Sequence, residues 1–140
     1  MQKRVILMVV LLSVSLCISA EGLTYLSTSD FKEKVCYYDL QTQPKWEYRG
    51  VRPCLIDFST SWCVWCKKLH PVLEELAESY KGRLDVYTLD AEREPELAML
   101  FGVRSYPTVI LCPMEGSPQI VQGFRDKSFW DEVIKEVLLK

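Results

Sequence analysis

The residues able to do chemistry cluster in Trp62-Cys63-Val64-Trp65-Cys66-Lys67 and in Asp57, just upstream. Two thiols separated by two residues at a helix start can cycle between dithiol and disulfide, and can equally supply half of a metal site. A helix N-terminus carries unpaired N–H groups and the positive end of the macrodipole, so it favours an anion. Thiols in that position have pKa values of roughly 3.5–7.5 instead of about 8.5. Cys63 is therefore the expected attacking sulfur. Cys66, one turn further in, is placed to resolve the mixed disulfide. Asp57 sits inside Leu55-Ile56-Asp57-Phe58, a run too apolar to ionise a carboxylate cheaply. Its pKa is expected to be raised, which suits it to exchange a proton with Cys66. The competing reading is an edge-strand aspartate that faces water.

These groups need a strand, a tight loop and a helix to hold them. Residues 54–59 are expected as a buried strand, Ser59-Thr60-Ser61 as the loop, and residues 63–80 as a helix with Val64, Leu69, Val72, Leu73, Leu76, Ala77 and Tyr80 at helical spacing. Pro71 inside that helix is expected to kink it. Before it, residues 27–38 are expected as a short helix capped by Thr28 or Ser29. A loop over 39–53 follows, with a short strand near Trp46-Glu47-Tyr48. After it, the pattern predicts a strand over 84–89 and a helix over 92–101 stopped by Gly102. Strands over 108–112 and 119–122 come next, joined by a turn-rich link, and then a helix over 126–139. The order αβαβαββα implies parallel crossovers between the early strands and an antiparallel final hairpin. The expected fold class is α/β, a central mixed sheet with helices on both faces.

The chain has 140 residues, enough for one domain with its own core. Lys3 and Arg4, the apolar run over 5–12 and the small residues ending at Ala20 form a secretory signal peptide pattern over 1–20, leaving a domain over 21–140. The cut falls after Ala20 or after Gly22, and an uncleaved N-terminal anchor is the alternative. Loss of Lys3 and Arg4 takes the formal charge from −2 to about −4. With no basic cluster beyond Lys67-Lys68, nucleic acid is not expected as a partner. Of the six cysteines, Cys17 leaves with the signal. Cys36, Cys54 and Cys112 join the central pair, so a monomer has at least one free thiol. Cys36 paired with Cys54 or with Cys112 is one reading; small buried hydrophobes is the other. His70, the single histidine, shares a helix face with Cys66. Cys63, Cys66 and His70 offer three ligands with no evident fourth, so no metal is expected. His70 is expected as a packing or half-exposed residue, with a helper base as the sharper alternative.

From about Tyr25 to Lys140 the chain resembles the thioredoxin family. The residues that carry the likeness are Ile56-Asp57-Phe58 ahead of Trp62-Cys63-Val64-Trp65-Cys66-Lys67, then Pro71, then Phe101-Gly102-Val103-Arg104-Ser105-Tyr106-Pro107-Thr108, and Gly123 after the last hairpin strand. The insert over 39–53 and the turn over 113–119 are similar to exported thioredoxins of the Bacteroides group. The resemblance implies the thioredoxin fold, with Cys63 as nucleophile, Cys66 as resolving thiol and Asp57 as buried proton carrier. It implies a cis-proline at Pro107 packed against the disulfide, and a Tyr106 backbone that pairs with an extended substrate strand. Trp62, Val64 and Trp65 complete the implied substrate surface. The chain departs from the family pattern in two places. Val64-Trp65 replaces the Gly-Pro of cytosolic thioredoxins, and Thr88 stands where many members carry a lysine near the buried aspartate.

The leading expectation is an exported, periplasmic thiol–disulfide oxidoreductase that reduces protein disulfides as a monomer, without an organic cofactor. A membrane-bound thiol–disulfide reductase is the expected electron donor, since an exported compartment lacks the cytosolic supply. Val64 is similar to the thiol domain of the transmembrane disulfide reductase, which favours reduction. Tyr106 before Pro107 is similar to protein disulfide isomerase, which keeps an oxidase or isomerase as the alternative. A non-enzymatic binding domain with a structural Cys pair is the third reading.

Overall fold

The computed structural model describes residues 23–38 and 45–140. The signal peptide pattern and residues 39–44 of the insert lie outside the described residues. No described helix is long and apolar enough to cross a membrane.

Among the described residues ten elements follow one another: β1 (Thr24–Tyr25), α1 (Thr28–Lys34), β2 (Cys54–Ser59), α2 (Val64–Ser79), β3 (Asp85–Asp90), α3 (Pro95–Leu100), β4 (Thr108–Cys112), β5 (Gln119–Gln122), α4 (Lys127–Val133) and a closing π-helical turn (Ile134–Leu138). The strands form one mixed sheet in the order β1-β3-β2-β4-β5. β1 and β2 both run parallel to β3. β4 is antiparallel to β2 and to β5.

Alternation along β2 sorts the core into two layers. Cys54, Ile56 and Phe58 face Phe31 of α1, its C-cap Val35 and Leu97 of α3. Leu55 points the other way, to Leu69, Leu73 and Leu76 of α2 and to Trp130, Ile134 and Leu138 of the last helix. The sheet therefore carries helices on both faces. Because side chains repeat every second residue, Asp57 shares the Leu55 face and lies under α2.

Several expectations are corrected. β4 does not run parallel to β3. A six-residue α3 rises only about 9 Å, too little to carry the chain back along a strand of about 20 Å. β4 consequently starts at the end where β3 stops, with Thr108 opposite Phe58 and Asp90 opposite Ser59. The cap of α1 is Ser27, not Thr28 or Ser29. Its hydroxyl accepts from the Asp30 N–H while the Asp30 carboxylate accepts from the Ser27 N–H, closing a capping box. Lys34 and Ser27 together hold the Asp30 carboxyl down to about 2. Tyr48 makes a single bridge to Cys36 instead of a strand. The last helix is α-helical only to Val133. Pro71 does lie inside α2, as the sequence indicates.

Candidate active site at the head of the second helix

Cys63 is the N-cap of α2, with extended backbone angles, and its Sγ accepts the N–H of Cys66 at 3.1 Å. Cys63 and Cys66 form a disulfide with Cα atoms 5.3 Å apart. After reduction the same N–H and the α2 dipole face the Cys63 sulfur, the environment that stabilises a thiolate. The loop before it is held by the Cys63 N–H donating to the Thr60 carbonyl at 3.3 Å. Cys63 retains slight exposure, whereas Cys66 is almost wholly buried. A substrate sulfur can thus reach the first cysteine more readily than the second.

The rim around the disulfide is aromatic. Trp62, Val64 and Trp65 are all more than half exposed. Trp62 stands edge-on to Tyr106 at 6.0 Å, and its indole N–H donates to Glu92 at 3.0 Å. Trp65 leans on Phe124 at 5.7 Å, and the Lys68 ammonium lies 4.3 Å from the Trp65 ring centre. Apolar side chains exposed side by side, rather than singly, are a mark of contact sites. The Tyr106–Pro107 peptide is cis, and the Pro107 carbonyl accepts from Gly123 at 2.8 Å.

Beneath α2, Asp57 is fully buried. It is therefore not the edge-strand aspartate of the competing reading. Thr88, its register partner on β3, donates a hydroxyl hydrogen bond to Asp57 Oδ2 at 2.9 Å. Oδ1 is buried with no hydrogen-bond partner among the described residues. His70 approaches from α2, with Nε2 3.4 Å from Asp57 Oδ2 and 3.5 Å from Thr88 Oγ1. The Asp57 carboxylate is the main cause that raises the His70 pKa above its usual 6.5, against the opposing effect of burial. Sequence reasoning left this pairing out. The signal was present in two parts: His70 one turn beyond Cys66, and Asp57 on the strand below. Only the seating of α2 on β2 joins them.

That shift has a consequence for stability. A histidine whose folded pKa is raised adds stability below its unfolded value of about 6.5 and loses it as pH rises through the folded value. In urea melts of the oxidised protein, His70→Gln should cost more stability at pH 6 than at pH 8.5. A gap that widened toward pH 8.5 would contradict the ion pair.

Cys36, Cys54 and Cys112 are free and buried, so the pairing of Cys36 with either of the others is set aside. Cys54 and Cys112 stand opposite one another across β2 and β4. Burial pushes the Cys36 and Cys112 thiols up. Among the described residues no group of three or more His, Cys, Asp or Glu side chains is arranged to hold a metal.

Comparison with known proteins agrees with this geometry. A family profile described as Thioredoxin matches residues 44–136. A thioredoxin of Borreliella burgdorferi is 35% identical over 111 residues, covering 79% of this chain and 93% of that protein. A thioredoxin of Staphylococcus aureus is 41% identical over 85 residues, covering 60% of this chain and 81% of that one. A crystal structure of chloroplastic thioredoxin z superposes with a TM-score of 0.68 at 20% identity, over 82% of this chain and 93% of that chain, and shares its fold. With a redox-active cysteine pair at the head of a helix on a mixed five-stranded sheet, the chain belongs to the thioredoxin family of thiol–disulfide oxidoreductases.

Proposed function

We propose that this protein is an exported reductase of protein disulfides, with Cys63 as nucleophile and Cys66 as resolving thiol. The observation that carries the reading is the position of Cys63: N-cap of a sixteen-residue helix, slightly open to solvent, next to the exposed Trp62, Val64 and Trp65. The Cys63 thiolate attacks a substrate disulfide, forms a mixed disulfide and releases the first substrate sulfur. Cys66 then attacks Cys63 Sγ and releases the second. Asp57 takes the proton that Cys66 must lose. The substrate lies as an extended segment beside the Tyr106 backbone and Pro107, against Trp62, Val64 and Trp65.

Export rests on Lys3, Arg4, the apolar run over 5–12 and the small residues up to Ala20. The periplasm and a membrane-bound thiol–disulfide reductase as donor follow from that reading, and we take the protein to act as a monomer. Likeness of the insert and of the 113–119 turn to the exported thioredoxins of the Bacteroides group supports it. Tyr106 before Pro107 favours the second reading, an oxidase or isomerase working through the same pair.

The reduction potential of Cys63–Cys66 in glutathione buffers separates the two. A value near −270 mV, typical of thioredoxin, is expected for a reductase. A value of roughly −120 to −180 mV would instead make the protein a disulfide donor or shuffler.

A further inference from the structure

Asp57 is sealed in the core, so a proton it takes from Cys66 has to leave through a group that touches both the carboxylate and water. His70 does both. Its Nε2 is 3.4 Å from Asp57 Oδ2, its side chain is 39% exposed, and it lines a cleft of about 250 Å³. Thr88 fixes the geometry by donating to Oδ2 from below while lying 3.5 Å from the same imidazole nitrogen. We propose that His70 is the positioning residue through which Asp57 exchanges its proton with solvent, so that release of reduced substrate depends on the imidazole being neutral.

The groups around His70 come from four elements. Asp57 belongs to β2, and Thr88 and Asp90 to β3. Tyr25 of β1 and Lys67 of α2 line the same cleft, and Glu74 acts on His70 from the next turn of its own helix. Of these side-chain types, imidazole alone ordinarily gains and loses a proton between about pH 5 and 8. Asp57 and Glu74 both favour the charged imidazole, while partial burial opposes it.

The step balances without an outside reactant. Cys66 gives its proton to the Asp57 carboxylate, and the Cys66 thiolate attacks Cys63 Sγ of the mixed disulfide. Before that attack, Asp57 passes the proton on to Nε2 of the His70 tautomer protonated on Nδ1 and His70 releases a proton from Nδ1 into the cleft, so the Cys66 thiolate is not reprotonated before it reaches Cys63 Sγ. The Cys63–Cys66 bond forms as the bond from Cys63 to the substrate sulfur breaks. The substrate sulfur leaves with the electron pair and takes a proton from water, so the substrate is reduced and the protein pair oxidised.

This inference rests on the reading of Asp57 as the proton partner of Cys66, and the test separates the two. Reduced protein is mixed with a labelled peptide disulfide in single-turnover stopped flow from pH 5.5 to 9. Attack by Cys63 and release by Cys66 are followed as separate phases. His70→Gln and His70→Ala should slow release about 10-fold at pH 8 and less than about 2-fold at pH 5.5, where the wild-type imidazole is already charged. The attack phase should keep its rate, which a general loss of structure would not allow. Asp57→Asn should slow release roughly 100-fold across the range. Slow release in Asp57→Asn with unaltered pH profiles in both His70 variants overturns the role of His70 alone. Unchanged release in Asp57→Asn overturns the Asp57 reading, and the inference with it.

Discussion

Replacement of Cys63 by serine should lower disulfide-reducing activity by about 10³-fold or more, because an alcohol at this site supplies no comparable nucleophile. Replacement of Cys66 by serine should fail differently. The first attack still occurs, but no thiol remains to displace the substrate, so a stable mixed disulfide accumulates on Cys63. Intact mass spectrometry after exposure to a peptide disulfide reads the difference directly. Cys66→Ser gains the mass of one peptide half, and Cys63→Ser gains almost nothing. The buried thiols cannot replace the pair. Cys36, Cys54 and Cys112 are shut in the core, and burial makes Cys36 and Cys112 harder to ionise. Insulin reduction that persisted in Cys63→Ser would overturn the assignment of Cys63 as the nucleophile.

The largest expected effect on stability lies away from the disulfide. Phe31 is fully buried and touches three other rings, Tyr38 at 5.8 Å, Phe101 at 5.7 Å and Trp46 at 6.5 Å. It is the one buried anchor of the seven-residue α1. Phe31→Ala should cost about 3–5 kcal/mol, the transfer term plus the cavity left among stiff aromatic neighbours. A domain of this size holds roughly 5–15 kcal/mol in all, so a large part of its stability would go. Guanidinium melts measure it through the unfolding midpoint. Trp62→Ala, which removes a larger but mostly exposed ring, should move that midpoint little. A loss under about 1 kcal/mol for Phe31→Ala would mean that the layer under α1 closes over the gap.

Much of this was legible in the sequence where one element decides the outcome. Leu55-Ile56-Asp57-Phe58 announces a buried strand by composition alone. The periodicity of Leu69, Leu73 and Leu76 announces α2. Strands β4 and β5 were legible to the residue, because Pro113 and Pro118 bracket their turn. Features set by two elements at once were not. β1 has only Thr24 and Tyr25, both exposed, and exists because β3 offers an edge to pair with. No run of two residues carries a period. The direction of β4 depends on how far α3 travels, and a helix pattern gives its phase more clearly than its ends. The cap of α1 had three adjacent hydroxyls to choose from, and Asp30 three residues after Ser27 was the discriminating cue. At the site, the cysteine spacing was plain. The His70–Asp57 contact was not, because it crosses from a helix to a strand that the sequence does not say are stacked.

The antiparallel entry of β4 also arranges the molecule as a socket. β2 leaves the sheet at Ser59, β3 leaves at Asp90, β4 enters at Thr108, and β5 ends opposite it at Gln122, all at one end. The rim around the disulfide is therefore assembled from the four connections at these strand ends, the first of which runs on into the first turn of α2. Trp62 and Trp65 come with the first, Glu92 with the second, Tyr106 with the third and Phe124 with the fourth. Each of these side chains can be exchanged without disturbing the strand alternation that keeps Asp57 beneath α2. Under the proposed function, the contacts offered to a partner are gathered from the connections at one end of the sheet, whereas Asp57 is held by the strands themselves.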